Sequence, residues 1–307
     1  MDSSMGIPGG LFERAGVVRF WWMAIRPRTL TASVVPILVG TSLAYRFGHQ
    51  IHWEISLWAL ISALFIQIGT NLFNDVIDFR NGADTAERLG PQRVTQSGVI
   101  SSGLVMKAGV FCFLLASLSG IPLILQGGWV IVGIGLISLF LGYAYTGGPF
   151  PLAYKGLGDL FVVLFFGLVA VGAIYYLHTG DWSFRALVAG LQVGFLATVL
   201  IAINNFRDME QDSKANKKTL AVRWGSAFAR KEIQCLFWAS FLLCVYWWIE
   251  GAWGAALFPL FLWPVVMKLV KQIYIHDPGA IYNRYLSQAG LLHFLFGIQL
   301  SLGFLVT

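Results

Sequence analysis

At residues 71–84 the sequence reads Asn71-Leu-Phe-Asn-Asp-Val-Ile-Asp-Phe-Arg-Asn-Gly-Ala-Asp84, at the end of a long apolar segment. On a helix, Asn71, Asp75 and Asp78 occupy positions i, i+4 and i+7 and therefore share one face. An Asp near the centre of a membrane helix costs about 2.5–3.5 kcal/mol, so two of them on one face predict a cation that neutralises them. The alternative is a solvated helix end whose acids have no function.

The composition indicates the class of protein. Of 307 residues, 57% are hydrophobic and 12% are charged, whereas about 25% of the residues of a soluble domain are charged. The chain is therefore predicted to be an integral membrane protein, and its composition does not suggest a nucleic-acid binder. The formal net charge of +6 is interpreted as a topology signal rather than as a patch for polyanions.

Apolar segments of about 20 residues, the length that crosses a bilayer, predict an all-α, multi-pass protein. We expect one domain (residues 1–307) that begins with a cytoplasmic and interfacial segment (residues 1–25). The nine predicted transmembrane helices are Leu30–Phe47, Ile55–Asn74, Leu104–Leu125, Gly128–Tyr145, Leu157–Leu177, Phe184–Ile203, Ile233–Ile249, Trp253–Leu269 and Leu286–Val306. With a cytoplasmic N-terminus, 19 of the 21 Lys and Arg residues fall on the inner side, as the positive-inside rule requires.

A second acidic run, Asn204-Asn-Phe-Arg-Asp-Met-Glu-Gln-Asp212, follows the sixth predicted span. Asn204, Asp208 and Asp212 again share one helical face. The repeat indicates an internal duplication, with two carboxylate clusters facing each other across a central cavity that opens to the cytoplasmic side. Oxygen ligands without His or Cys favour Mg²⁺, which binds one or two carboxylates and completes its shell with water and substrate phosphates.

Basic residues near these clusters are candidates for binding phosphate groups or an anionic second substrate. The candidates are Arg26, Arg93, Lys155, Lys214, Lys218 and Arg223. Lys155 is the only Lys or Arg in the predicted inner loop between the fourth and fifth spans, so it is our candidate for binding the anion of an acceptor. The alternative for these residues is that they only set the topology.

Two tyrosines precede the Gly- and Pro-rich part of that same loop, in the stretch Tyr143-Ala-Tyr-Thr-Gly-Gly-Pro149. Gly and Pro end the helix there, and Tyr143 and Tyr145 are predicted to line the cavity. An aromatic face stabilises a cation by about 0.5–2 kcal/mol, so either ring would shield a positively charged intermediate. The alternative is an interfacial aromatic belt.

These residues resemble the UbiA superfamily of intramembrane aromatic prenyltransferases. Asn74, Asp75 and Asp78 match the core of its first acidic motif, and Asp208 and Asp212 match the second. The resemblance extends from residue 26 to the ninth predicted span. It implies Mg²⁺-dependent transfer of a prenyl group from a diphosphate to an aromatic ring within the lipid bilayer.

Three further blocks, which begin at Asn81, Tyr145 and Lys218, look like the members of this superfamily that act on 1,4-dihydroxy-2-naphthoate. They imply a polyprenyl diphosphate donor, loss of the ring carboxylate as CO₂, and a place in menaquinone or phylloquinone synthesis at the plasma (inner) membrane of a bacterium. One residue departs from the pattern. Asp84 lies further from Asp78 than the last Asp of the family's motif does, so its role as a metal ligand is open.

Two predicted metal sites and two competing functions complete the hypothesis. The predicted metal ligands are Asn71, Asp75 and Asp78 for one Mg²⁺, and Asn204, Asp208 and Asp212 for another. A related enzyme that uses homogentisate, 4-hydroxybenzoate or haem as acceptor would have the same motifs. A transporter of a phosphorylated metabolite would also need acids and bases in a cavity, but its charges should reach the bilayer midplane.

Overall fold

The computed structural model describes residues 19–84 and 88–307, and within those ranges all regular secondary structure is helical. This confirms the predicted all-α class. The predicted N-terminal segment lies mostly outside the described residues, although residues 19–25 are helical.

The main helices are numbered in chain order. They are α1 (Thr31–Arg46), α2 (Trp53–Arg80), α3 (Val94–Ser97), α4 (Ser102–Ala144), α5 (Gly158–Thr179), α6 (Phe184–Arg207), α7 (Met209–Lys214), α8 (Leu220–Ile249), α9 (Trp253–Ile275) and α10 (Tyr282–Val306). Helix α2 extends six residues beyond the predicted end at Asn74. The first acidic cluster is therefore part of the helix, as its spacing predicted.

Seven helices in the described part of the chain are long and apolar enough to cross a membrane, namely α2, α4, α5, α6, α8, α9 and α10. The sequence predicted nine spans, and the difference has two sources. Helix α1, which was predicted as a span, has only 16 residues, about 24 Å at 1.5 Å per residue. It is therefore not among the seven long helices. Helix α4 contains both the third and the fourth predicted spans in 43 residues, with non-helical dihedral angles at Gly128 (φ 63°, ψ −150°).

Helices α5 and α6 approach each other closely along their backbones. A Cβ atom on Gly167 would clash with the carbonyl oxygen of Gly190 and would lie 2.7 Å from the Cα atom of Gly194. Small residues at such contacts are typical of packed membrane helices. The contact fixes α5 against α6, the helix that ends at the second acidic cluster.

The largest hydrophobic core lies on one side of the molecule, among α1, α6, α8, α9 and α10. The side chain of Trp247 is fully buried there, and its indole Nε1 donates a hydrogen bond of 2.6 Å to Oε1 of Gln192. The polar group of this large side chain is thus satisfied within the core. Two smaller hydrophobic clusters involve α2 and α4, and these two helices also line a cavity together with α5.

Candidate active site

A cavity of about 890 Å³ lies among α1, α2, α4, α5, α6 and α10, within the usual size range of small-molecule sites. One end is lined by charged and amide side chains from the ends of α2 and α6. Most of the remaining wall is apolar, and it extends to Leu123, Ile131 and Leu177. Leu136 lines this wall and is 64% exposed, so this part of the wall lies at the outer surface of the helix bundle.

Asp78 lies in the first acidic cluster and faces the cavity. Its carboxylate accepts one hydrogen bond from the Tyr154 hydroxyl and one from Nδ2 of Asn74, both at 2.8 Å. Nδ2 of Asn74 also donates to the Thr146 hydroxyl at 3.0 Å, and Oδ1 of Asn74 accepts from the Arg26 guanidinium at 2.6 Å. Asp78 is thus held in a fixed orientation by neutral donors.

Asp75 and Asn71 occupy the same cluster but contact neighbouring segments. Asp75 is 1% exposed, and its carboxylate accepts hydrogen bonds from the backbone N–H groups of Val94 (3.2 Å) and Thr95 (2.9 Å) at the start of α3. Asn71 lines the cavity and donates to the Thr29 hydroxyl at 3.1 Å. Asp75 is not among the residues that line the cavity, and its role as a metal ligand, like that of Asn71, stays a prediction.

Asp84, whose role the sequence left open, forms ion pairs with two cations. It contacts the guanidinium of Arg88, and its Oδ2 lies 3.3 Å from Nε of Arg93. Burial raises the pKa of Asp84, while the two guanidinium groups act in the opposite direction. Burial also lowers the pKa of Arg93. Asp84 therefore fixes two cations that line the cavity.

The second acidic cluster contains a buried arginine that the sequence analysis missed. Arg207 donates to both carboxylate oxygens of Asp208, at 2.7 and 2.6 Å, and to Oδ1 of Asn204 at 2.8 Å. Its third nitrogen donates to Oδ1 of Asn283, whose amide donates to the carbonyl of Leu89. The only signal for Arg207 was a cation directly before Asp208, at the end of an apolar helix.

Asp212 completes this cluster on α7. Its Oδ1 lies 3.3 Å from Nζ of Lys217, and its Oδ2 is buried without a hydrogen-bond partner. Burial raises the pKa of Asp212 to about 6 even beside this ammonium group. Lys217 also lies over the ring of Tyr154, 5.9 Å from its centroid. The second cluster thus presents one unpartnered carboxylate oxygen.

Several predicted cations lie outside the cavity lining. Lys155 is exposed, and its ammonium lies 5.4 Å from the centroid of the Phe150 ring. Lys214 pairs with Glu210 at 2.9 Å on the exposed surface. Lys218 and Arg223 are exposed as well. The described cations that do line the cavity are Arg26, Arg88, Arg93, Arg207 and Lys217.

Arg223 has a different position from the predicted one. Its guanidinium donates to the backbone carbonyls of Lys218 (3.1 Å) and Lys155 (2.9 Å). It therefore joins the loop after α4 to the start of α8. Of the two predicted tyrosines, Tyr145 lines the cavity, whereas Tyr143 is 42% exposed and packs against Phe73.

The residues present fit a magnesium–phosphate complex better than a metal bound by protein alone. No group of three or more His, Cys, Asp or Glu residues within the described ranges is arranged to hold a metal. Asp78, Asp208 and Asp212 line the cavity singly, and the free Oδ2 of Asp212 is a hard oxygen donor. Mg²⁺ suits such a site because it takes most of its ligands from water and substrate phosphates.

Comparisons with known proteins show which family and which relatives the chain resembles. The model of the UbiA prenyltransferase family matches residues 33–287. The 1,4-dihydroxy-2-naphthoate octaprenyltransferase of Haemophilus influenzae is 33% identical over 94% of this chain and 96% of its own. The 2-carboxy-1,4-naphthoquinone phytyltransferase of Synechocystis is 30% identical over 93% of both chains.

A solved structure shares the fold. The UbiA homologue from Archaeoglobus fulgidus, bound to GPP and Mg²⁺, superposes with a TM-score of 0.65. The match covers 93% of this chain and 99% of that chain, with 17% sequence identity.

Proposed function

The chain belongs to the UbiA prenyltransferase family, and we propose that it transfers a polyprenyl group from a polyprenyl diphosphate to 1,4-dihydroxy-2-naphthoate. The reaction would release diphosphate and CO₂ and give demethylmenaquinol or the corresponding phylloquinone precursor. The single observation that carries the proposal is the cavity itself. It joins a charged end, lined by Asp78, Asp208 and Asp212, to a long apolar wall.

The acceptor is supported by the relatives. One similar protein is named an octaprenyltransferase and another a phytyltransferase, so their prenyl donors differ. Both names carry a carboxylated naphthalene ring with oxygen at positions 1 and 4. A naphthoate acceptor is therefore the common element, whereas the length of the prenyl chain varies among relatives.

We assign the diphosphate to the charged end of the cavity. Asp78, Asp208 and Asp212 would hold Mg²⁺ there, with Asp75 as a further predicted ligand. When bound, Mg²⁺ neutralises the diphosphate and makes it a better leaving group. The guanidinium groups of Arg88 and Arg93, which Asp84 fixes in place, would take charge that develops on the departing oxygens.

Arg26 is our candidate for the acceptor's carboxylate, in place of the exposed Lys155. Each of the other described cations that line the cavity pairs with a carboxylate, whereas Arg26 bonds to the neutral amide of Asn74. Its Nε is buried without a hydrogen-bond partner. Burial lowers the pKa of Arg26 to about 9, so the group stays charged at neutral pH.

The bond between the prenyl C1 and the diphosphate oxygen breaks, and its electrons leave with the diphosphate. Tyr145 lines the cavity and would shield the allylic cation with its ring. The ring carbon that carries the carboxylate forms the new C–C bond. The carboxylate then leaves as CO₂, and the electrons of its bond restore the aromatic ring.

We also propose nine membrane crossings with a cytoplasmic N-terminus, and a cavity whose charged end faces the cytoplasm. At about 1.5 Å per residue, the 43 residues of α4 would extend about 65 Å, roughly twice the hydrocarbon thickness. The break at Gly128 therefore makes two crossings of α4, and the 16-residue α1 adds another to the seven long helices. The charge distribution supports this orientation, and the bacterial origin of a similar protein supports the plasma (inner) membrane of a bacterium.

The test is an assay of purified protein with Mg²⁺, a polyprenyl diphosphate and a panel of acceptors. We expect prenylated naphthoquinol and one CO₂ per product with 1,4-dihydroxy-2-naphthoate. Product with homogentisate or 4-hydroxybenzoate instead would overturn the acceptor and keep the reaction class. No prenylated product with any aromatic acceptor would overturn the proposed function.

A further inference from the structure

Gln67 on α2 is a buried carboxamide inside the cavity that no step of the proposed reaction uses. It is 9% exposed and lines the cavity. Neither the oxygen nor the nitrogen of its carboxamide forms a hydrogen bond with a described residue. Gln67 lines the cavity, so its carboxamide, which can both donate and accept, is available to a ligand that enters there.

Neighbouring polar groups on the same walls differ from Gln67 in this respect. The Ser33 hydroxyl donates to the carbonyl of Ala63 at 3.4 Å, and the Ser62 hydroxyl donates to the carbonyl of Ala116 at 3.0 Å. Both bonds satisfy the side chain within the protein. The carboxamide of Gln67 is longer and faces the cavity instead.

The position of Gln67 relates it to the charged end. Gln67, Asn71, Asn74 and Asp78 follow one another at helical spacing, and all four line the cavity. At about 1.5 Å per residue, Gln67 lies about 10 Å along the helix axis from Asn74, which bonds Arg26. An aromatic acceptor whose carboxylate meets Arg26 would therefore direct its opposite side toward Gln67.

We propose that Gln67 determines acceptor specificity by exchanging hydrogen bonds with a ring hydroxyl of the aromatic acceptor, on the side of the ring away from the diphosphate. This inference rests on the proposed function, since it takes the acceptor to be a hydroxylated aromatic acid. In 1,4-dihydroxy-2-naphthoate the hydroxyl at position 4 is the farther one from the carboxylate-bearing carbon. The amide of Gln67 both donates and accepts, so it fits a hydroxyl in either orientation.

The test combines a protein change with a matching ligand change. Equilibrium binding of 1,4-dihydroxy-2-naphthoate and of 1-hydroxy-2-naphthoate, which lacks the 4-hydroxyl, is measured by calorimetry on the purified full chain and on Gln67→Leu. We expect loss of the 4-hydroxyl to weaken binding to the wild type about 10- to 100-fold. The same loss should change binding to Gln67→Leu less than about twofold, because the partner amide is already absent.

The matched control is Gln299→Leu. Gln299 is another Gln of a membrane helix, on α10, and it does not line the cavity. We expect this variant to discriminate between the two acceptors as the wild type does. Should Gln67→Leu fail to fold, Gln67→Asn retains the amide but retracts it by one methylene group, and we expect intermediate discrimination.

The outcomes separate this inference from the proposed function. Equal discrimination by wild type and Gln67→Leu would overturn the role of Gln67 while leaving the reaction in place. If the wild type binds another hydroxylated acid but not the naphthoate, the proposed acceptor is wrong. The same comparison, made with that acid and its deoxy analogue, then decides the role of Gln67.

Discussion

Tyr154 offers the sharpest test of the metal-binding end, because one hydroxyl joins it to Asp78. The O–H donates to Oδ1 of Asp78 at 2.8 Å, and the ring lies beside Lys217. Tyr154→Phe removes the hydroxyl and keeps the ring. We expect Asp78 to lose its orientation and therefore to bind Mg²⁺ more weakly.

The expected loss of Mg²⁺ affinity can be worked out from the type of hydrogen bond that is removed. A hydrogen bond to a charged group contributes about 1.5–3 kcal/mol, and removing a residue that orients a metal ligand commonly reduces metal affinity by about 10–100-fold. The two estimates agree, since about 1.4 kcal/mol corresponds to a factor of ten. The half-activating Mg²⁺ concentration should thus rise by about 10–100-fold in Tyr154→Phe.

The assay is turnover as a function of Mg²⁺ concentration, together with direct binding of Mn²⁺ followed by electron paramagnetic resonance. Tyr274→Phe is the control, because its hydroxyl also donates to a side chain, Oε1 of Gln234 at 2.7 Å, but on the exposed surface. It should leave both readouts unchanged. An unchanged metal dependence in Tyr154→Phe, or an equal shift in Tyr274→Phe, would refute the reasoning.

Three further changes test other parts of the site. Tyr145→Leu should slow single-turnover product formation about 2- to 30-fold, the loss expected for one cation–π contact, and an unchanged rate would exclude cation shielding by that ring. Gly90→Ala should lower the thermal midpoint and the turnover rate. The new Cβ atom would lie 2.7 Å from a guanidinium nitrogen of the buried Arg207, and overpacking of this kind costs about 1–3 kcal/mol. Gly103→Ala, with open space around its Cβ, should change neither. Arg26→Gln should raise the KM for the acceptor about tenfold or more in a steady-state assay. Lys155→Gln should change this KM less than about twofold. A larger effect of Lys155→Gln than of Arg26→Gln would restore Lys155 as the residue that binds the acceptor's anion.

Acidic residues at the ends of α2 and α6 were predicted well from the sequence, because the helical period fixes which side chains share a face. Other helical positions were predicted less well, since three of the predicted residues lie on helices but do not line the cavity, namely Tyr143, Lys214 and Arg223. Asp78 at the end of α2 and Asp208 at the end of α6 both line one cavity, as their spacing predicted. The seven long spans were likewise visible as apolar segments. The count of crossings needed more than helix length, since α4 contains two predicted spans that meet at the non-helical Gly128.

Residues in loops were predicted poorly, and adjacent positions show why. Tyr154 donates to Asp78 at the cavity, while its neighbour Lys155 is exposed and lies over Phe150. The helix that would fix their directions has ended, so the path of the loop depends on contacts from distant elements. One of these is the guanidinium of Arg223, which bonds to the carbonyl of Lys155. No local pattern encodes such a contact.

The balance of charge at the cavity explains why the two substrates should differ in their need for metal. Among the described residues, four carboxylates and five cations line the cavity, a surplus of one positive charge. Burying charges that are not compensated is costly, and the internal ion pairs avoid that cost while substrate is absent. One surplus positive charge is enough to neutralise the single carboxylate of an aromatic acid. A diphosphate carries more negative charge than this one surplus charge can neutralise. Binding of the acceptor should therefore persist when a chelator removes Mg²⁺, whereas binding of the prenyl diphosphate should require Mg²⁺. Only the diphosphate brings an excess of negative charge into a cavity with mostly apolar walls.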